Sequence, residues 1–426
     1  MKVALVCPAS LPATQFGGIV FLAVDLAREI SVLGHDVTIY TTDLDFTNGP
    51  NKFNKALPRL EKFEKFKINR THTWFSLKLF FINPSMYKQI KNDKPDIIHT
   101  IGLRSFQSII AWLVSKKINI PLVVSDQGGL TTHPFLDQSG LFLKILYKMQ
   151  NFFIKRIIEH SSAISAANEY EKKIFSGINK ESKIEIIRNG VNLKSLVSKQ
   201  NFKEKYQINS KFILFVGRFS KVKGIETLIY AFNIIKNELK ITDIRLVIMG
   251  VDFGYQNEMF GLIKKLDLSE EIIVIKNPPR DDVISAYGES EFLVLPSQWE
   301  LSPLVPLESF AFKRPVISTN SHGIPYTVQN NKNGILVEET RKETSKLDRT
   351  RRARVAPACP LGRRLGRHFS VCRSKNFAPS AQNLPHIQFG SLQPVFSLRT
   401  TRCKTFRKKV AKNGPKTGNL ETVQSS

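Results

Sequence analysis

Two carboxylates with seven residues between them, Glu300 and Glu308, stand in the segment Pro-Ser-Gln-Trp-Glu-Leu-Ser-Pro-Leu-Val-Pro-Leu-Glu at 296–308. The run Phe292-Leu293-Val294-Leu295 before it is short and continuously apolar, which predicts a strand buried on both faces. A helix-like segment over 307–312 and a strand over 315–318 follow. Ser302 and Pro303 suit a cap and a first turn, so the helix should begin between Ser302 and Val305. Unpaired N–H groups around Leu304 and Val305 would then present partial positive charge to an anion. Carboxylates beside an anion site make chemical sense for a ligand that is also rich in hydroxyls. A sugar joined to a nucleoside diphosphate has both features. The plainer alternative is two solvated acidic residues, one at a strand end and one on a helix.

Two further stretches could serve the same chemistry. Gly217-Arg218-Phe219-Ser220-Lys221-Val222-Lys223-Gly224 lies between an expected strand at 212–216 and an expected helix at 225–235. Cations placed directly after a buried strand can meet phosphate, and arginine can grip it in bidentate fashion; ordinary loop cations are the alternative. Gly17-Gly18 opens a helix expected over 19–33, after a strand at 2–7. Glycine there lets backbone approach a ligand closely. A tight turn without a ligand would read the same, and two glycines are less than a dinucleotide fingerprint.

The elements that must carry these residues alternate. Strands are expected at 37–40, 96–99, 122–125, 163–166 and 184–187 in the first half, and at 246–249, 272–275, 292–295, 316–318 and 335–337 in the second, with helical segments between most of them. This predicts an α/β chain of two Rossmann-like parallel-sheet domains facing a cleft, residues 1–195 and 196–340. Residues 192–210, polar and lysine-rich, read as a linker. The phenylalanines and tryptophan of 44–92, interleaved with lysines, suit helix packing or a membrane surface. The stretch 141–158 has apolar residues at helical spacing with Lys144, Lys148, Lys155 and Arg156 between them. It reads either as a domain helix with a basic face or as a helix lying on an anionic membrane.

The chain has 426 residues and a net charge of +27, but the excess is uneven. Residues 341–426 hold 20 Lys and Arg against 3 Asp and Glu, whereas the first 340 hold 43 against 33. That concentration disfavours a nucleic-acid-binding body. The segment 341–426 also loses helical and strand periodicity, and it reads as a basic low-order tail or as a shifted or foreign reading frame. Three of the four cysteines lie there, in no zinc or disulfide pattern, so a reducing compartment is expected. The first residues read as a strand, not a secretion signal, and no apolar run is long enough to span a bilayer. Asp43-Leu44-Asp45 is not a convincing metal signature.

With these residues in view, the chain over 1–339 resembles the family 4 retaining glycosyltransferases, which include glycogen and sucrose synthases. Glu300 and Glu308 match that family's paired-glutamate motif. Gly217-Arg218 with Lys223-Gly224 is similar to its diphosphate-binding loop. Gly17-Gly18 looks like its opening, and Asn189-Gly190-Val191 looks like its pattern near the interdomain linker. The resemblance implies the GT-B arrangement of two facing domains and transfer from a nucleoside-diphosphate sugar to a saccharide or lipid-linked acceptor. It also implies retention by a front-face mechanism without a metal or other cofactor. In that scheme Arg218 and Lys223 stabilise the departing diphosphate, together with the N–H groups at Leu304 and Val305. Glu300 takes hydroxyls of the transferred sugar, Glu308 those of the ribose, and Gly17 and Gly18 approach the donor or acceptor. The implied location is cytoplasmic, at the inner face of the membrane. Two departures stand out. Gln127 occupies a place where such relatives often carry histidine, and His133 is near in sequence. The basic tail replaces the helices with which relatives end, which leaves a truncated homologue that binds nucleotide or membrane without transfer as the alternative.

Overall fold

The computed structural model describes residues 1–45, 53–77, 79–128, 130, 136, 140–198 and 200–338. His133 and the tail reading therefore lie outside the described residues. Two sheets organise the chain, and the described residues of both belong to one compact unit. The first is carried by the run β1 (Lys2–Val6), α1 (Gly18–Val32), β2 (Asp36–Thr42), β3 (Leu60–Phe63), β4 (Phe66–Thr71), a hairpin of β5 (Phe75–Leu77) and β6 (Phe80–Ile82) that forms its own two-stranded sheet, and α2 (Ser85–Asp93). It continues through β7 (Ile97–Ile101), α3 (Phe106–Ile118), β8 (Leu122–Ser125), α4 (Leu141–His160), β9 (Ala163–Ala166), α5 (Glu169–Ile178) and β10 (Lys183–Ile186). Its strand order is β10-β9-β8-β7-β1-β2-β4-β3, parallel throughout except for the β3–β4 pair.

The second sheet follows α6 (Phe202–Lys205). Its elements are β11 (Lys211–Val216), α7 (Ile225–Asn233), β12 (Ile244–Gly250), α8 (Gln256–Lys265), β13 (Ile272–Lys276), α9 (Arg280–Glu289), β14 (Phe292–Leu295), α10 (Leu304–Ala311), β15 (Val316–Thr319) and β16 (Gly334–Val337). The order β13-β12-β11-β14-β15-β16 is wholly parallel. Winding runs outward in both directions from β11, so a crevice opens between β11 and β14 at their carboxyl ends. The loops after these two strands are 217–224 and 296–303. In the first sheet the reversal lies at β1, and the loop after β1 ends at Gly17. Gly17, Arg218, Lys223 and Glu300 are thus carried by the loops that topology brings to the crevices.

Burial on both faces explains why the strands are legible. Phe212, Ile213, Leu214 and Phe215 are all fully buried, sent alternately into two core clusters on opposite faces of the sheet. Three expectations need correction. The segment 192–210 is more than a linker: Phe202 and Ile208 are buried against Phe212 and Tyr287, each side chain worth about 1.5–3 kcal/mol of burial. Lys205 and the Tyr206 hydroxyl also bond the fully buried Asp282. Polar composition hid two anchoring apolar residues. The helix at 225–235 runs into a wider π turn over Ile234–Glu238. Ser302 is not the cap of α10, because Pro303 holds that position without a side-chain hydrogen bond. The aromatic segment divides: Phe66, Phe80 and Phe81 are buried, while Trp74 and Phe75 are exposed.

Candidate active site

Loop 296–303 is where the candidate residues meet. Gly224 begins this convergence. Its φ of +67° lies in the left-handed region, and a Cβ there would come within 2.0 Å of Pro296 O. Only glycine lets the cationic loop come this close to the end of β14. Gln298 N then donates to Val222 O at 2.8 Å, locking the two loops together.

Lys223 ion-pairs with the Glu300 carboxylate, and both side chains are largely buried. Ser297 Oγ donates to the same carboxylate oxygen at 3.1 Å. Arg218 is half-buried, with its guanidinium 5.0 Å from the Phe253 ring. Burial pulls its pKa below the ordinary value, and Glu300 acts in the opposite sense; the group stays charged. Arg218, Lys223 and Glu300 are therefore one cluster. A cation suited to phosphate sits beside a carboxylate suited to sugar hydroxyls, which is the pattern required at a sugar–phosphate junction.

Leu304 is the first residue of α10, as anticipated, and Val305 follows it in the first turn. Residues carried by the first sheet face this turn. Gly17 caps α1 with φ +109°, and a Cβ on Gly18 would lie 3.1 Å from Leu304 Cδ1. The starts of α1 and α10 are therefore packed against each other. Asn189 is buried, and its Nδ2 donates to Ser302 O at 3.1 Å and to Gln127 Oε1 at 3.3 Å. Gln127 thus reaches the same loop through Asn189.

Glu308 is set apart from Glu300. It is buried on α10 and accepts two bonds from Arg280, at 2.6 and 3.2 Å. Sequence reasoning missed Arg280. The signal available was its place: it opens α9 directly after β13, at the carboxyl edge of the second sheet. Asn168 was missed as well. Its Nδ2 donates to Leu301 O at 2.7 Å while its Oδ1 caps α5. A surface hollow of about 990 Å³ lies elsewhere, lined by Ser198, Asn201, Glu204 and Glu289 among others, and contains none of the candidate residues.

A family model described as Glycosyltransferase Family 4 matches residues 16–195, and one described as Glycosyl transferases group 1 matches 198–348. The chain is 30% identical over 284 residues to the capsular polysaccharide biosynthesis glycosyltransferase CapM of Staphylococcus aureus, spanning 62% of this chain and 69% of that one. The chain belongs to glycosyltransferase family 4. The transferase is also 28% identical over 271 residues to an Escherichia coli protein, spanning 60% of this chain and 65% of that one. That protein is named as a UDP-Gal:α-D-GlcNAc-diphosphoundecaprenol α-1,3-galactosyltransferase. The transferase spans about two thirds of the length of these two relatives. Its fold is that of the sucrose-phosphate synthase from Thermosynechococcus elongatus, with a TM-score of 0.66, 17% identity, and coverage of 97% of this chain and 100% of that one. The two-sheet GT-B arrangement expected from sequence is the observed one.

Proposed function

We propose that this transferase moves a sugar from a nucleoside-diphosphate donor, most simply a UDP-hexose, to a saccharide or lipid-linked acceptor in envelope polysaccharide assembly. In this reading residues 1–195 form the acceptor side and 196–340 the donor side. The observation that carries it is the meeting of Arg218, Lys223 and Glu300 beside the start of α10, with Gly18 against Leu304. Arg218, Lys223 and the N–H groups at Leu304 and Val305 take the charge that grows on the diphosphate, stabilising the transition state more than the ground state. Glu300 holds hydroxyls of the transferred sugar, and Glu308 those of the ribose. The bond from the sugar's anomeric carbon to the diphosphate oxygen breaks, and the acceptor oxygen attacks on the same face. The acceptor proton passes to the departing diphosphate, so configuration is retained. The scheme calls on no metal or further cofactor. The α linkage in the E. coli relative's name favours retention.

The same reading puts the enzyme at the inner face of an anionic membrane, where a lipid-linked acceptor would be reached. No described helix is long and apolar enough to cross a membrane. Instead α4 exposes an apolar stripe: Leu141 is 74% exposed, Phe142 64%, Ile145 59% and Phe152 56%. Leu141, Ile145, Met149 and Phe152 recur at steps of four, four and three, on one side of the helix. Lys144, Lys148 and Lys155 flank that stripe, and Leu146, Ile154 and Ile157 face the core. Apolar insertion beside lysines matches an anionic bilayer surface.

The test is donor turnover and transfer across UDP-, GDP- and ADP-sugars with Glu308→Ala and Arg218→Ala. The first should weaken donor binding and the second should remove transfer. Unchanged kinetics in both would overturn the site assignment. A folded but inactive nucleotide or membrane binder is the competing reading. Binding without transfer, restored or not by removing residues 341–426, decides between them.

A further inference from the structure

Where α9 and α10 meet α1 there is an ion pair of which the donor scheme uses only the carboxylate. Arg280 takes both oxygens of Glu308, and its guanidinium lies 4.5 Å from the centre of the Phe21 ring on α1. Asp25, one turn further along α1, attracts the same guanidinium. Gly18, Phe21 and Asp25 are spaced three and four apart, so one face of α1 looks at the second sheet's elements. Arg280 thus connects a carboxylate of the donor side to a helix of the acceptor side.

A carboxylate has about four lone-pair sites, and a bidentate guanidinium uses one on each oxygen. The buried Tyr287 hydroxyl also neighbours this carboxylate, and a direction that remains can take a ribose hydroxyl. With Arg280 in place the carboxylate plane is fixed. Without it a buried negative charge loses the counter-ion it pairs with among the described residues, and the side chain is free to turn.

We propose that Arg280 is a positioning residue that sets ribose recognition. It orients Glu308 toward the ribose hydroxyls, and its stack on Phe21 makes that orientation depend on α1 being docked. The inference rests on the donor reading above, in which Glu308 meets the ribose.

The experiment compares binding of ribo- and 2′-deoxyribonucleoside diphosphates (UDP with dUDP, and the guanine and adenine pairs) by calorimetry on the full chain. Variants are Arg280→Ala, Arg280→Lys, Phe21→Ala and Glu308→Gln, each with melting measured in parallel. Wild type should prefer the ribose form roughly 10- to 100-fold, the worth of a hydrogen bond to a charged group. Arg280→Ala should bring that ratio at least fivefold closer to one, as Glu308→Gln does. Arg280→Lys should recover part of it, and Phe21→Ala should give an intermediate ratio. A merely structural role would weaken both nucleotides equally and leave the ratio alone. Arg280→Ala with the wild-type ratio, or with tighter ribonucleotide binding, would overturn the inference while leaving the donor reading intact. Should Arg280→Ala fail to fold, the ratios in Arg280→Lys and Phe21→Ala decide. A wild-type chain that binds no nucleoside diphosphate would instead sink the donor reading itself.

Discussion

Adding one methyl group at Gly323 should disable the site without touching any charged residue. Its φ of −88° is open to any amino acid, so the effect of Gly323→Ala is steric alone. The new Cβ would stand 1.6 Å from Leu301 O and 2.9 Å from Asn168 Nδ2. Real Cβ contacts stay beyond about 3 Å, so the carbonyl must retreat by roughly 1.4 Å. Leu301 adjoins Glu300, whose own carbonyl accepts from Gly323 N at 3.0 Å. The retreat therefore carries Glu300 with it and breaks the Asn168–Leu301 bond. Overpacking of this kind costs about 1–3 kcal/mol, and the lost hydrogen bond about 1 kcal/mol more. A displacement near 1 Å at a reacting centre costs about 100-fold in rate. Nucleotide release from donor in the presence of acceptor, with melting by fluorimetry, should show that loss together with a fall in Tm of a few degrees. Asn168→Asp serves as a comparison: it keeps the oxygen that caps α5 but sets an acceptor against Leu301 O, so it should lower rate less. Gly323→Ala with wild-type rate and Tm would refute the idea that loop 296–303 is held rigidly by its neighbours.

Lys223→Ala should lower transfer about 10²- to 10³-fold, the usual worth of a donor aimed at developing charge, with a smaller change in donor KM; equal loss in KM alone would count against a transition-state role. Gly18→Val should slow transfer and weaken nucleoside diphosphate binding, because the added carbons press on Leu304 at the start of α10; unchanged transfer would show that the α1–α10 contact is dispensable. Phe142→Glu with Ile145→Glu should abolish flotation with phosphatidylglycerol vesicles and leave melting within about 1 °C; retained flotation removes α4 as the contact. Glu171 is buried beside Asp126, and burial followed by that charge pushes its pKa up to about 8. The folded state therefore holds the proton more tightly than the unfolded chain, and stability should fall as pH rises from about 5 to 8. Glu171→Gln should flatten this fall by about 1–3 kcal/mol in urea titrations at the two pH values; parallel curves for variant and wild type would refute it.

What could be read from sequence follows the physics of burial. Strands such as β11 and β14 are buried on both faces, so their composition alone marks them. The paired glutamates and the loop 217–224 are local signals attached to such strands, and they were legible for that reason. Arg280 was not, because its role arises from a contact with a side chain 28 positions away and a ring on α1. Phe202 and Ile208 were hidden by lysines and asparagines around them, since isolated buried apolar residues in a polar segment leave no period. Asn168 looks like any helix cap in sequence; only the fold reveals that its second polar atom is spent on Leu301.

The spacing of the glutamates acquires a physical reason from this arrangement. Glu300 lies four residues before α10, in a loop pinned by Gly323, Asn189 and Asn168, and its side chain is turned toward Lys223. Glu308 lies one helical turn after Leu304, and residues four apart on a helix share a face. That face is the one that meets α1, where Gly18 touches Leu304 and Phe21 lies under Arg280. Seven intervening residues are therefore a short loop plus one turn of helix. The loop lets the first carboxylate join the cations, and the turn delivers the second to the boundary with the other sheet's helix. Adding or removing one residue between Leu304 and Glu308 would rotate Glu308 by about 100° away from Arg280, whereas the same change before Pro303 would shift Glu300 against Lys223 and leave the α10–Arg280 pair in register. Two carboxylates that look alike in sequence are thus fixed by independent devices, and damage to one need not reach the other.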